Sequence, residues 1–291
     1  MYAAISPSKD ETPTPKPIIV DGRARLSFIA DADGMTRLDD LFQRDPQRIL
    51  FPNPPKDDIT QAVIVTTSGG LVGGDQISVE IETGEHAQAL VMAQAAEKIY
   101  RSAGADSQIN VRLEAAPSSW LEYLPQETIL FDGARLRRST AIDVAEGGRL
   151  LAGEMMVFGR LGHGEQFRFG SAHDGWEVSQ NGHLVWADAL HLKDDIAAVT
   201  SKPACFNSAV AAATGVYIGV DAEQHLTTAR DIFAARDTTT LTGATFVNGV
   251  LVMRWLGRDA FALRNDFGAF WCAFRNQVAE LPAALPRLWN M

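Results

Sequence analysis

Cysteine is scarce in this 291-residue sequence, which contains only Cys205 and Cys272, far apart along the chain. Two such residues form neither a CxxC pair nor a disulfide framework, as is typical of a protein from a reducing compartment. Long hydrophobic runs are also missing, because no uncharged apolar stretch reaches the ~18 residues that a membrane-spanning helix needs. The N-terminal segment has no apolar core of signal-peptide length. We therefore expect a cytoplasmic protein without a membrane partner.

Basic residues are also fewer than acidic ones. Lysine and arginine number 26 against 36 aspartate and glutamate residues, which gives a formal net charge of −10. Binding to nucleic acid requires a clustered basic surface for phosphate contacts, and the basic residues here are few and scattered. The charge balance argues against a nucleic-acid partner and fits a basic partner or a cation better.

Several motifs of catalysis and cofactor binding are absent. The glycine-rich segment 69–75 (GGLVGGD) has an aspartate where a Walker loop has lysine, and it lacks the GxGxxG spacing of a dinucleotide site. No serine occupies a GxSxG elbow, and none of the six histidines forms an HxH, HxxH or HExxH pair. The segment is instead typical of a turn between strands, in which glycine supplies unusual backbone angles and Asp75 caps the turn.

Short strands dominate the first two thirds of the chain. Apolar and polar residues alternate over 77–82 and 109–114, which predicts strands with one wet face. The spacing of the strand-like runs, with no long helix between them, favours an antiparallel or coiled all-β body over a βαβ fold. Further strands are predicted at 62–67, 89–93, 127–131, 150–158, 166–169, 184–187 and 249–256.

Helices are predicted only in the last third. Asp221 and Gln224 resemble a capping box that opens a helix, and the strongest helical pattern runs over residues 259–281. The aromatic stripe of this second helix is typical of core packing, with a groove-binding partner face as the alternative. The proline-rich residues 1–20 are predicted to be a disordered tail, followed by one domain over residues 21–291.

Carboxylates stand within apolar or glycine-rich strand and turn segments, where a charge removed from water needs a partner or a metal ion. Such residues are candidates for the lining of an internal polar passage if the fold buries them. The alternative is a local role, in which Glu97 pairs with Lys98 or Arg101 and Asp132 begins a turn. The candidates are Asp75, Glu97, Glu127, Asp132, Glu154 and Glu165.

Four segments occur in the order found in one known family: 69–75 (GGLVGGD), 94–102 (QAAEKIYRS), 124–129 (LPQETI) and 285–290 (LPRLWN). On these motifs the sequence resembles the urease accessory proteins of the UreD family, called UreH in some organisms. The resemblance covers about residues 21–291. It implies a mainly β fold, with many short strands in a coiled arrangement and a few C-terminal helices docked on it, in agreement with the strand pattern.

The resemblance also implies a function. A member of this family is expected to have no catalytic activity, to bind apo-urease and UreF, and to bind the GTPase UreG through UreF. It is expected to form a dimer of complexes bridged through UreF. A water-filled passage is expected to carry Ni²⁺ in transit toward the urease active site, without a tightly bound cofactor. The six carboxylates are then candidate transient nickel ligands.

Nickel chemistry fits a conduit without a chelating motif. Ni²⁺ binds imidazole and thiolate strongly, so a clustered His/Cys site would trap the ion, whereas conduction needs sites weak enough to release it. Two alternatives stay open. One is a β-rich hydrolase using a carboxylate pair drawn from Glu127, Asp132 and Glu154. The other is a metallochaperone, in which His and Cys residues distant in sequence converge to hold nickel.

Overall fold

A computed structural model describes residues 20–290, so the tail predicted over residues 1–20 lies outside the described residues apart from Val20. Strands hold 50% of the residues and helices 16%, which confirms the prediction of a mainly β protein. The strands are β1 (Asp21–Ala30), β2 (Thr36–Arg44), β3 (Gln47–Leu50), β4 (Thr60–Thr66), β5 (Gln76–Thr83), β6 (Gln88–Ala93), β7 (Glu97–Ile99), β8 (Ser107–Ala115), β9 (Trp120–Leu124), β10 (Thr128–Leu130), β11 (Arg135–Val144), β12 (Arg149–Phe158), β13 (Phe169–Gln180), β14 (His183–Asp195), β15 (Ala211–Ile218), β16 (Leu241–Val247) and β17 (Val250–Gly257).

The three helices follow β14, β15 and β17 in the chain. They are α1 (Ile196–Ser201), α2 (His225–Ala234) and α3 (Ala260–Ala279), with short 3₁₀ turns at Leu161–His163 and Arg287–Asn290. None of the helices within residues 20–290 combines the length and the apolar character that crossing a bilayer requires.

Two sheets are built by a coiling chain. The seven-stranded first sheet has the order β14-β13-β11-β8-β5-β1-β2, and the main path of the ten-stranded second sheet is β16-β17-β15-β12-β9-β6-β4-β3, with β10 and β7 joined beside β12. From β4 to β13 the chain moves back and forth between the sheets, so neighbouring strands such as β5 and β8 are parallel. This arrangement confirms the prediction of a coiled β body.

Alternation along the strands produces two apolar cores. Inward residues of both sheets, such as Val79 and Val91, form the core between the sheets. The opposite face of the second sheet packs against α2 and α3 and forms the other core, which includes Trp120. The fold therefore has three layers, and the space between the two sheets is the one that holds the site described below.

The helix α3 confirms the strongest helical prediction. Asp259 caps its N-terminus by accepting a hydrogen bond from the Ala262 N–H at 2.9 Å, and its aromatic stripe is buried against the second sheet. Gly153 of β12 allows the close approach, because a Cβ at that position would lie 2.6 Å from the ring of Phe267. The stripe is thus core, not an exposed partner groove.

Two local predictions are wrong. The helix predicted after Asp221 is present as α2, but it begins at His225 and the capping box does not form: the Asp221 carboxylate accepts a hydrogen bond from the Tyr217 hydroxyl at 2.6 Å. The strand predicted at 166–169 is a loop up to Phe169, where β13 begins. At Asp221 the competing group comes from the strand just before it, whereas the loop at 166–169 is held by Asp132, which accepts from the Arg168 and Phe169 N–H groups.

Candidate functional site

Two cavities adjoin each other between the sheets. The first has a volume of about 370 Å³ and a largely apolar lining that includes Met156 and Trp255. The second, of about 160 Å³, has many polar side chains in its lining, among them Thr66 and Glu97. Because Glu154 lines both cavities, its carboxylate marks the place where they meet.

Three charged side chains, Arg138, Glu154 and Asp174, are buried together at this meeting point, and we call them the junction cluster; each residue is only 4% exposed. Arg138 Nε donates to Asp174 Oδ1 at 2.8 Å, and Arg138 Nη1 forms an ion pair with Glu154. Arg138 and Asp174 are direct neighbours in the parallel register of β11 and β13, and both alternate inward. Two carboxylates around one guanidinium leave one formal negative charge inside the protein.

Unsatisfied polar atoms concentrate at these cavities. Within residues 20–290, four buried side-chain atoms have no hydrogen-bond partner, and three of them belong to residues that line the second cavity: Ser68 Oγ, Arg138 Nη2 and Glu154 Oε2. The fourth is Trp255 Nε1, whose ring packs against Phe267 and Phe270 of α3. Glu154 Oε2 contacts the guanidinium as an ion pair but not in hydrogen-bond geometry. Buried polar atoms in folded proteins are almost always bonded to protein or ordered water. The second cavity and the junction cluster therefore suit water or a hydrated ion.

Glu97 is a further carboxylate of the second cavity. It is half-buried at the start of β7, and its Oε2 accepts a hydrogen bond from Thr66 Oγ1 at 2.8 Å. Burial raises the pKa of Glu97 above its ordinary value, and the Thr66 hydrogen bond opposes this only in part. Burial also raises the pKa of Tyr123, in the same cavity, to about 12, so the phenol is uncharged at neutral pH.

The raised pKa of Glu97 makes stability depend on pH. The folded protein holds this proton more tightly than the unfolded chain does, so ionised Glu97 opposes folding at neutral pH and protonated Glu97 does not. Glu97→Gln removes the charge and keeps an acceptor for Thr66. We expect the thermal midpoint to rise by about 1–3 °C at pH 7.5. The gain should shrink as the pH falls toward about 4.

Thermal unfolding at both pH values tests this expectation, with the exposed Glu85→Gln as the control that should change neither midpoint. A gain of equal size at both pH values, or a loss at pH 7.5, would contradict it.

Half-exposed groups and glycines lie at the rims of the cavities. In the first cavity, Asp188 of β14 pairs with Arg254 of β17, and both side chains reach solvent. In the second, the glycine-rich segment contributes Ser68 and Gly70. Gly70 has a φ of +142°, and a Cβ there would lie 2.6 Å from the Lys98 carbonyl oxygen, so glycine alone fits this turn.

Of the six carboxylates predicted from the sequence, Glu97 and Glu154 line the cavities and four lie elsewhere. Asp75 caps the glycine-rich turn, accepting hydrogen bonds from the backbone N–H groups of Val72 at 2.9 Å and Val20 at 3.1 Å. Glu127 pairs with Arg264 of α3 at 3.0 Å. These two residues therefore connect segments of the fold.

Asp132 and Glu165 hold the loop before β13. Asp132 Oδ1 accepts hydrogen bonds from the backbone N–H groups of Arg168 at 2.8 Å and Phe169 at 3.1 Å. These bonds and the Arg168 guanidinium outweigh partial burial and lower the pKa of Asp132. The hydrogen bond from Arg160 lowers the pKa of Glu165, whose Oε1 accepts the Asp132 N–H at 2.7 Å. Both carboxylates are ionised loop anchors.

Sequence reasoning missed Arg138, Asp174 and Asp188. A signal for the first two exists, because Leu136 and Trp176 are apolar residues two positions away on the inward face of the same strands. A charge placed among inward apolar positions must find a buried partner. The pairing of strands far apart in the chain, which brings the partners together, carries no local signal.

The hydrolase alternative is not supported by the positions of its carboxylates. Glu127 and Asp132 lie beyond opposite ends of the short strand β10, Glu154 lies on β12, and each engages a different arginine. In the described part of the chain, no three His, Cys, Asp or Glu side chains are grouped so that they could hold a metal ion by themselves.

Comparisons with known proteins agree on one family. A model of the family described as "UreD urease accessory protein" matches residues 20–290. The chain is 46% identical over 275 residues to the urease accessory protein UreD of Magnetococcus marinus, with 94% of each chain covered. It is 40% identical over 269 residues to UreD of Xanthobacter autotrophicus, covering 92% of this chain and 89% of the relative. The matched region contains both sheets and both cavities.

Proposed function

Since this chain belongs to the UreD family of urease accessory proteins, we propose that Ni²⁺ passes through it, between the two sheets, on the way to the urease active site. The relatives are named urease accessory proteins, which supports a role in urease maturation. The route runs from the Asp188 rim through the junction cluster to Glu97. Ni²⁺ is the cargo, and no tightly bound cofactor or catalytic step is required.

The observation that carries this proposal is a set of unsatisfied polar atoms: three of the four among the buried side chains of residues 20–290 belong to Ser68, Arg138 and Glu154, which line the second cavity. Carboxylate oxygens at Glu97, Glu154 and Asp174 attract a divalent cation, and the net charge of −10 raises its local concentration. Oxygen donors bind Ni²⁺ less strongly than imidazole or thiolate does, so an ion held there can leave again.

Arg138 is the barrier on this route. Its guanidinium occupies the space between Glu154 and Asp174 and neutralises half of their charge. A divalent cation reaching the junction must displace the guanidinium or share the carboxylates with it, because like charges repel strongly away from bulk water. We therefore propose that the passage is closed in the isolated subunit and opens when partners bind.

Exposed apolar side chains support an assembly with partners. They concentrate on and beside the first three strands, where β2 is an edge strand of the first sheet. Surfaces of this kind serve protein contacts more often than isolated apolar residues do. We propose that this chain binds UreF and apo-urease, and UreG through UreF, in the cytoplasm, as a dimer of complexes bridged through UreF. The side chains are Ile29, Met35, Leu38, Leu41, Phe42, Leu50 and Phe51.

Carboxamide variants of the junction cluster test the passage. In cells carrying the full urease operon, Glu154→Gln or Asp174→Asn should slow nickel transfer about five- to tenfold, as expected for a barrier raised by roughly 1–1.4 kcal/mol. The nickel content and activity of the purified urease measure the effect at a fixed time after induction.

The matched control is Glu82→Gln, a carboxamide on the outer face of the first sheet, which should leave nickel loading unchanged. Co-purification of each variant with UreF and urease shows whether the complex still assembles. If the double variant Glu154→Gln/Asp174→Asn still loads urease with nickel normally, this route is excluded.

A further inference from the structure

Two histidines face each other across the hairpin of β13 and β14. His173 of β13 and His191 of β14 are direct cross-strand partners in the antiparallel register, with ring centroids 5.6 Å apart. Both lie on the outward face of the first sheet, because their neighbours Asp174 and Leu192 alternate inward. His191 is exposed and His173 is half-buried.

We propose that His173 and His191 form a second binding site for a divalent transition-metal ion, on the outer face of the first sheet. An ion bound through a ring nitrogen lies roughly 3.2 Å from the ring centroid, so two rings that share it have centroids roughly 4.5–6.5 Å apart. The observed 5.6 Å lies in this range. Imidazole is a preferred ligand of Ni²⁺, Cu²⁺ and Zn²⁺, and water completes the coordination.

Gly175 makes room for the His173 ring. It lies in the interior of β13, two residues beyond His173, and a Cβ there would meet His173 Nε2 at 3.2 Å. Glycine in a strand interior often marks the close approach of another group, which here is the imidazole of His173 itself. Its cross-strand partner is the small Ala189, so this face stays open beside the two rings.

The charges around the pair limit the affinity of the site. Arg137 of β11 is the register neighbour of His173, and Lys193 lies two residues beyond His191 on the same face. Both cations repel a metal ion, whereas Glu177, farther along β13, attracts it. We expect a dissociation constant in the micromolar range, which suits the capture of an ion that must later be released.

This site does not depend on the passage. His173 lies on the outer face, whereas its neighbour Asp174 belongs to the junction cluster on the inner face. The site therefore stands on its donor geometry, and only the use of the captured ion for urease rests on the proposed function. An ion bound here would have to travel around the edge strand β14 to enter the first cavity.

Equilibrium dialysis of the full-length chain against NiCl₂ tests the site. His173→Ala/His191→Ala should lose one Ni²⁺ per chain, and each single variant should weaken that binding about tenfold or more. Because imidazole takes up a proton at a higher pH than a carboxylate does, acidification should release this ion before any ion held by carboxylates. His183→Ala, an exposed histidine at the start of β14, is the control and should bind Ni²⁺ like the parent.

Unchanged stoichiometry and affinity in the double variant would overturn the proposal. Glu154→Gln/Asp174→Asn in the same assay separates the two sites, because it should keep the histidine-dependent ion. Histidine-dependent binding together with normal urease loading by the carboxamide variant would reject the passage and retain this site.

Discussion

Replacing Arg138 by glutamine is expected to turn the junction cluster into a Ni²⁺ trap. Without the guanidinium, Glu154 and Asp174 face each other with no counter-ion, and a divalent cation is the best remaining partner. We expect the Ni²⁺ affinity of the full-length chain to rise about ten- to a hundredfold. Urease loading should fall, because an ion held this tightly leaves too slowly.

The metal-free Arg138→Gln protein should be less stable than the parent, and Ni²⁺ should reverse part of this loss. Leaving two buried carboxylates without their cation costs about 3–5 kcal/mol of unfolding free energy. Saturating Ni²⁺ should restore about 2.7 kcal/mol at a concentration of a hundred times the dissociation constant. Chemical unfolding of Arg138→Gln with and without NiCl₂ measures both quantities.

Two controls make this result specific. Arg112→Gln changes an exposed arginine on the outer face of β8, and it should change neither affinity nor stability by much. Arg138→Lys keeps the cation and should not gain Ni²⁺ affinity. If Arg138→Gln is destabilised and Ni²⁺ does not restore its stability, the Arg138 ion pairs are purely structural. Arg138 is then not the barrier on a nickel route.

A second large effect is expected at Arg275, which ties α3 to the second sheet. The side chain is fully buried, its Nε donates to Glu122 Oε1 at 2.9 Å, and its Nη2 pairs with Asp58 Oδ1 at 2.7 Å. Its Nη1 also donates to the Pro282 carbonyl at 2.8 Å, which holds the segment after α3. Trp271 Nε1 donates to the same Glu122 carboxylate, so one cluster anchors the whole helix.

Arg275→Met should therefore lower the free energy of unfolding by about 3–5 kcal/mol, because it leaves two buried carboxylates without their cation. In a chain of this size the thermal midpoint should fall by about 5–10 °C. Circular dichroism during heating and in urea measures the change.

Arg25→Met is the matched control for Arg275→Met. Arg25 pairs with Asp40 on the surface, where an ion pair contributes about 0–1 kcal/mol. Similar midpoints for the two methionine variants would mean that burial adds nothing to the strength of the Arg275 cluster.

Much of the fold follows from short-range pattern. Alternation placed strands over 77–82 and 109–114, and the repeated apolar residues after Asp259 placed α3, because strands and helices bury one face at fixed periods. The glycine-rich segment was correctly predicted to form a turn that Asp75 caps. The same reasoning failed at Asp221, where the tyrosine hydroxyl of a preceding strand competes for the carboxylate.

The candidate site was predicted only in part. A carboxylate in an apolar strand must be buried with a partner, which identified Glu97 and Glu154 as cavity-lining candidates. The same argument selected Asp75 and Asp132, whose partners are backbone N–H groups of nearby turns. Sequence alone does not separate a carboxylate that closes a turn from one that faces a cavity, since both stand beside glycine and apolar residues.

The sequence by itself determined which face of each strand is apolar, where the last long helix lies, and the family to which the chain belongs. Only the tertiary structure decided which strands distant in the chain are neighbours, and so it alone set Arg138 beside Asp174. The physical reason is the distance along the chain over which each feature is set. The side-chain period is local to each strand, whereas register and coiling depend on how two whole sheets bury their apolar faces against each other.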